Sequence, residues 1–249
     1  MKIGAQLYTV REHTQTAKDF AATIKKIADI GYKYVQISAI GPIPAQDVAD
    51  ICKSSDIKIA ITHTNPTRIK DETEAVIAEH RIMGADYIGI GMMPGDYQRD
   101  TEGVRRFIAD FTKAAEKIRS SGMTLMYHNH DFEFEKYDGK LMIDYLVDEI
   151  PHIGFTLDTY WVQAGGADPA AWIKKLAGRV DVLHLKDMAI AGDKQLMAEV
   201  GEGNLNWESI FAVCKQAGVK YAMVEQDDCY GTDPFLCLEK SLININAMR

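Results

Sequence analysis

The chain has 249 residues, 47% of them hydrophobic and 26% charged, with a formal net charge of -8. That balance suits one large buried core, and the acidic excess argues against a face built for nucleic acid. No apolar run approaches the ~20 residues of a membrane span, and the four cysteines contain no CxxC pair, which fits a reduced, cytoplasmic protein better than a disulfide scaffold.

Met1 to Tyr8 lacks the long apolar stretch of a signal peptide and reads as a first strand. Asp19 to Ile30 places Phe20, Ile24 and Ile27 on one helical face, and Gly31 ends that helix. Tyr34 to Ser38 is a second strand. Pro44 and Ala45 open a helix with Val48, Ile51 and Cys52 inward. Ile57 to His63 is a third strand, followed by a helix from about Asp71 to Met83, stopped at Gly84. Tyr87 to Gly91 is a fourth strand. A long helix, Glu102 to Ser121, carries Phe107, Phe111, Ala114 and Ile118 on one face and stops at Gly122. The fifth strand runs from Thr124 to about His130. Asp144 to Glu149 is a short helix, and Ile153 to Asp158 a sixth strand. Pro169 sits near the start of a helix reaching Leu176. Val180 to Lys186 is a seventh strand, and Met188 to Asn204 a long loop. Asn206 caps a helix ending at Gly218. Tyr221 to Glu225 is the eighth strand, and Asp233 and Pro234 begin a last helix.

Strict alternation of strand and helix implies parallel strands with right-handed crossovers. Eight such units in this length predict a single α/β domain over 1–249, a closed (β/α)8 TIM barrel. An open doubly wound sheet would need a glycine-rich turn after the first strand, where the chain has Tyr8-Thr-Val-Arg.

Reactive groups in such a barrel gather at the C-terminal ends of strands. The first four strands end in mostly neutral residues, Tyr8, Ser38, His63 and Gly91. The last four end in the His128/His130/Glu133 cluster, Asp158, His184 with Lys186, and Glu225 with Asp227. An unpartnered acid there costs several kcal/mol if desolvated, and a shared divalent cation removes that cost. An oxygen-rich set favours Mn²⁺ or Mg²⁺, with Co²⁺ or Zn²⁺ as alternatives. Each group also has a purely structural reading: salt-bridged acids for Asp158 and Glu225, a hydrogen-bonded core histidine for His184, a buried polar partner for His128. Period-two alternation puts His184 and Lys186 on one face, which favours a shared role. His63, Tyr8 and Trp161 are candidate substrate contacts, Trp161 as an apolar wall for a sugar face.

The segments His-Asn-His-Asp-Phe-Glu133-Phe, Thr-Leu-Asp158-Thr-Tyr-Trp, Leu-His184-Leu-Lys-Asp, Val-Gly-Glu-Gly-Asn-Leu-Asn-Trp207 and Val-Glu225-Gln-Asp, in this order, resemble the xylose-isomerase-like barrel superfamily over nearly the whole chain. The resemblance implies a metal held by Glu133, Asp158, His184 and Glu225. At the fifth strand Glu135 and the histidines remain alternatives. Ketose 3-epimerases of that group usually carry a histidine where this chain has Trp161 and an arginine where it has Ile190. The chain therefore looks more like the broad sugar phosphate isomerase/epimerase subgroup.

The expectation is a metal-dependent isomerase or epimerase for a small sugar or keto-sugar, acting by proton abstraction beside a carbonyl held by the metal. Glu133, Glu225, His130 and Lys186 are the expected catalytic groups. A metal-dependent lyase or dehydratase on a keto-polyol or oxidised glycoside is the alternative, followed by a non-catalytic sugar-binding subunit. The expected partner is a small-molecule sugar, with neither nucleic acid nor membrane, and self-association into a homo-oligomer is left open.

Overall fold

A computed structural model describes residues 1–249. Eight parallel strands close into a barrel: β1 (Lys2–Gln6), β2 (Tyr34–Ile37), β3 (Lys58–His63), β4 (Tyr87–Ile90), β5 (Thr124–His128), β6 (Gly154–Asp158), β7 (Val182–Leu185) and β8 (Tyr221–Val224), neighbours in sequence being neighbours in the ring. The outer layer comprises α1 (Ala17–Ile30), α2 (Ala45–Ser54), α3 (Pro66–Asp71), α4 (Thr73–Met83), α5 (Thr101–Ser120), α6 (Met142–Glu149), α7 (Thr159–Ala164), α8 (Pro169–Lys175), α9 (Trp207–Ala217) and α10 (Pro234–Met248).

Because side chains alternate along a strand, each strand feeds two cores. Outward residues such as Val35, Ile88, Leu125, Phe155 and Leu183 join one apolar cluster with Phe20, Ile24, Phe107, Phe111 and Ile173 of the helices. Inward residues Ala60, Met126, Val182 and Met223 belong to a smaller cluster with Tyr87 that fills the lower barrel. The helix boundaries follow local chemistry. The Thr16, Asp100 and Asn206 side chains accept hydrogen bonds from backbone N–H groups in the first turns of α1, α5 and α9, and Gly31, Gly84 and Gly218 end α1, α4 and α9 in left-handed geometry.

Several short elements depart from the sequence expectation. The stretch expected as a loop, Met188 to Asn204, begins with an antiparallel hairpin pairing Asp187–Ala191 with Lys194–Ala198. A second ribbon pairs Lys136–Tyr137 with Lys140–Leu141. Leu7–His13 is a 3-10 turn, and α3 and α7 had no periodic signal because each spans fewer than two turns. The fifth strand stops at His128 rather than His130, which changes the site.

The return from the long hairpin to α9 is organised by one carboxylate. Asp187, fully buried, accepts hydrogen bonds from the backbone N–H groups of Met188, Gly201, Gly203 and Leu205 and from the Trp207 indole N–H, at 2.7–3.2 Å. Gly203 lies so close that a Cβ would collide with Asp187 Oδ1, so this glycine is required by close approach. An Asp187→Ala protein leaves these buried donors unmatched. It should lose about 3 kcal/mol or more, since each unsatisfied buried donor costs ~1–3 kcal/mol, read as a lowered midpoint in urea denaturation.

Candidate metal centre and cavity

Four consecutive strands deliver the site. β5 ends in His128, β6 in Asp158, and Asp158 stands directly opposite His184 of β7. Glu225 follows β8, its backbone N–H bonded to the Leu185 carbonyl. One potential ligand atom from each of His128, Asp158, His184 and Glu225 lies within 4.8 Å of the others, and all four residues are buried. Lys186 also points inward from the end of β7. Its Nζ lies 3.1 Å from Asp158 Oδ2, 2.9 Å from Glu225 Oε2 and 2.9 Å from Asp227 Oδ1.

The hydrogen bonds of the two histidines fix which nitrogen faces the acids. His128 Nδ1 is 2.8 Å from the Gly91 carbonyl, which only accepts, so that nitrogen carries the proton. Its Nε2 lone pair then faces Asp158 Oδ2 at 3.3 Å. His184 Nε2 donates to Gln36 Oε1 at 2.7 Å. That leaves His184 Nδ1 facing Glu225 Oε2 at 2.9 Å and Asp158 Oδ2 at 3.6 Å, and both Nδ1 and that Glu225 oxygen lack a hydrogen-bond partner. Lone pairs turned on carboxylates repel unless a proton or a metal lies between them. The pinning of each far N–H by a carbonyl is also the arrangement that orients metal-binding histidines.

The charges agree. Asp158, Glu225 and Asp227 face a single ammonium, Lys186, an excess of two negative charges that a divalent cation would cancel. Without one, burial opposes a charged His184, but the Glu225 and Asp158 carboxylates outweigh it and raise that imidazole to about 9. Burial also opposes ionised Asp158, yet Lys186 and the histidines hold its pKa well below the usual carboxylate range. The cluster can therefore hold a metal ion, with an N₂O₂ donor set that suits Mn, Fe, Co or Zn.

Above it opens a cavity of ≈ 510 Å³ at the C-terminal face of the barrel. Tyr8, His63, His128, His130, Lys186, Glu225 and Asp227 line it, with Ser38 and the Thr64–Thr67 stretch. Asp158 and His184 lie fully buried beneath. Ser38 Oγ is 3.2 Å from His63 Nδ1. Trp161 is not part of the cavity lining. Its ring packs 5.2 Å from that of His130, and Lys186 Nζ lies 5.5 Å from its centroid.

Glu133, expected as the ligand from β5, is not brought to this group. Tyr127 alternates outward from the barrel, and its hydroxyl donates to Glu133 Oε1 at 2.7 Å; the backbone N–H of His130 donates to Oε2 at 2.7 Å. His128 supplies the fourth corner instead. Glu133 has no exposed surface, and burial pushes its carboxyl from 4.5 up to about 7. A folded pKa above the unfolded one gives stability that is present below pH 4.5 and lost as pH rises through 7. Relative to a Glu133→Gln protein, the wild type should lose up to about 3 kcal/mol of unfolding free energy between pH 4.5 and pH 8, measured by denaturant titration at each pH.

The sequence also did not reveal Gln36, because a glutamine inside a strand carries no motif. Its role follows only from the closure that sets β2 across the barrel from β7. Asn129 likewise accepts from the Asp158 backbone N–H at 3.0 Å.

The fold and site together define a (β/α)8 barrel with a two-histidine, two-carboxylate cluster at the mouth. The model of the xylose isomerase-like TIM barrel family matches residues 24–233, and the chain belongs to that family. Two sugar phosphate isomerase/epimerase structures from Parabacteroides distasonis ATCC 8503 are similar. One superposes with a TM-score of 0.82 at 25% identity, covering 98% of this chain and 97% of that one. The other has a TM-score of 0.83 at 22% identity, covering 99% and 93%. A D-allulose 3-epimerase from a Methylomonas species shares the fold, with a TM-score of 0.75 at 16% identity over 100% and 98% of the two chains. No curated protein matches the sequence.

Proposed function

We propose that the protein is a divalent-metal-dependent isomerase or epimerase acting on a small sugar or keto-sugar. The observation that carries this reading is the convergence of His128, Asp158, His184 and Glu225 beside the Lys186 ammonium at the floor of an open cavity. When bound, a divalent cation there would polarise a substrate carbonyl as a Lewis acid. The chain's own groups do the rest. Lys186 presents its positive charge towards negative charge developing on a substrate oxygen. Glu225 and His130, both in the cavity wall, take and return the proton on the adjacent carbon. Tyr8 and His63 contact hydroxyls, and Trp161 supports the wall behind His130 and Lys186.

A second reading starts from the same proton abstraction: elimination from a keto-polyol or oxidised glycoside, for which the cavity of ≈ 510 Å³ also leaves room. Incubation in heavy water with ketoses, inososes and 3-keto-glycosides separates the two. Deuterium wash-in without loss of a group supports the isomerase or epimerase, and net elimination supports the lyase. Absence of exchange in every sugar by metal-loaded protein would remove both.

Gln36 offers a test of the metal centre itself. A Gln36→Leu protein keeps all four ligands but frees the His184 ring. It should bind Mn²⁺ about 10–100-fold more weakly, the usual effect of losing such an orienting partner, in competition with a chelating dye.

A further inference from the structure

We infer that Lys186 is a displaceable internal counter-ion: its ammonium occupies the carboxylate face of the metal site, and cation binding transfers it to Asp227. This rests on the metal-dependent reading above and adds a competition between a side chain and the cation.

Two of the carboxylate oxygens that contact the ammonium are the two a metal would need. Asp158 Oδ2 faces Lys186 Nζ at 3.1 Å, His128 Nε2 at 3.3 Å and His184 Nδ1 at 3.6 Å. Glu225 Oε2 faces Lys186 Nζ at 2.9 Å and His184 Nδ1 at 2.9 Å. An ammonium and a metal ion cannot both hold these oxygens at contact distance, since like charges that close repel strongly.

The contacts of the ammonium are unequal. Its hydrogen bond is to Asp227 Oδ2, at 3.1 Å. Towards Asp158 and Glu225 it makes close charge contacts only, and Glu225 Oε2 has no hydrogen-bond partner at all. Release from those two acids gives up two ion-pair contacts, and Asp227 retains the ammonium through its hydrogen bond. The anchor and the tether are also separate. The Lys186 backbone is fixed by Thr159, which accepts from its N–H at 3.1 Å and donates to its carbonyl at 2.8 Å. The four-carbon stem beyond is flexible. Asp227 lines the cavity, and its side chain is 25% exposed, whereas Asp158 has no exposed surface. Transfer to Asp227 thus moves the positive charge from the floor towards the space a substrate would enter. Without metal, the same ammonium neutralises part of the buried acid cluster, so the barrel mouth tolerates being empty of cation.

The test is calorimetric titration of Mn²⁺ alone into chelator-treated full-length protein, with thermal midpoints recorded to verify folding. A Lys186→Met protein loses the competitor and should bind Mn²⁺ at least about tenfold more tightly. An Asp227→Asn protein keeps the ammonium but weakens its alternative seat, and should bind at least about tenfold more weakly although Asp227 is outside the ligand set. In the double variant the Asp227 effect should vanish, because there is no ammonium left to receive. Equal or weaker binding by Lys186→Met, or an Asp227 effect that persists in the double variant, overturns the displacement while leaving the metal site standing. Absence of Mn²⁺ binding by both wild type and Lys186→Met overturns the metal reading and the displacement with it.

Discussion

An Asp158→Asn protein is expected to fold normally, bind no divalent metal and lose at least ~10³-fold in kcat/KM, the scale of removing a metal that contributes several kcal/mol of charge stabilisation. The separation of folding from function follows from the two oxygens of this side chain. Oδ1 accepts the Trp161 backbone N–H at 2.9 Å and caps α7, and asparagine caps a helix as well as aspartate does. Oδ2 faces Lys186, His128 and His184. With its oxygen kept on Trp161, the asparagine turns an NH₂ group towards the ammonium, where a carboxylate oxygen stood. The thermal midpoint in the presence of chelator checks the first half, and metal content with sugar turnover checks the second. Retained metal in Asp158→Asn would remove Asp158 from the ligand set.

Lys186→Met carries the second large effect. Turnover should fall by ~10²–10³-fold, as when one preorganised charge-stabilising donor is removed, while metal remains bound. The signature is a lower kcat with metal content undiminished, the opposite pairing from Asp158→Asn. Lys186→Arg should not restore the rate. The planar guanidinium is wider and more rigid than an ammonium, and Lys186 is 1% exposed among three carboxylates. Full activity of Lys186→Met would show that the ammonium serves only to balance charge.

The barrel was legible because several of its units repeat the same local grammar. An amphipathic helix, a glycine in left-handed geometry and a short buried strand recur, and Gly31, Gly84 and Gly218 mark the joints. Residues that end a barrel strand were legible too, since closure leaves their side chains nowhere else to point: Asp158 and His184 are paired in register. The assignment at β5 went differently because it depended on where the strand stops. Extending it to His130 leaves the next acid near the mouth. In the structure the chain turns at His128 into the 3-10 turn Phe132–Phe134, and Glu133 folds back against outward-facing Tyr127. A two-residue difference in a strand end, the least certain feature of any sequence reading, exchanged a carboxylate for an imidazole. Period-two alternation with the strand ended at His128 would have selected His128. Gln36 and Asn129 had no such signal, because their partners lie far away in sequence and become neighbours only when the ring closes.

The five hydrogen bonds gathered by Asp187 have a practical side. They pin both ends of the excursion from β7 to α9, so its outer turn, Ala191 to Gln195, carries little structural duty and is exposed throughout. The same hairpin reaches the cavity rim from its inner side, where Met197 Sδ receives the Asp227 N–H at 3.3 Å. A fluorophore or short peptide grafted at Gly192 or Asp193 would thus sit on a lever whose base touches Asp227, an optical handle on the cavity rim that leaves every residue lining the cavity untouched.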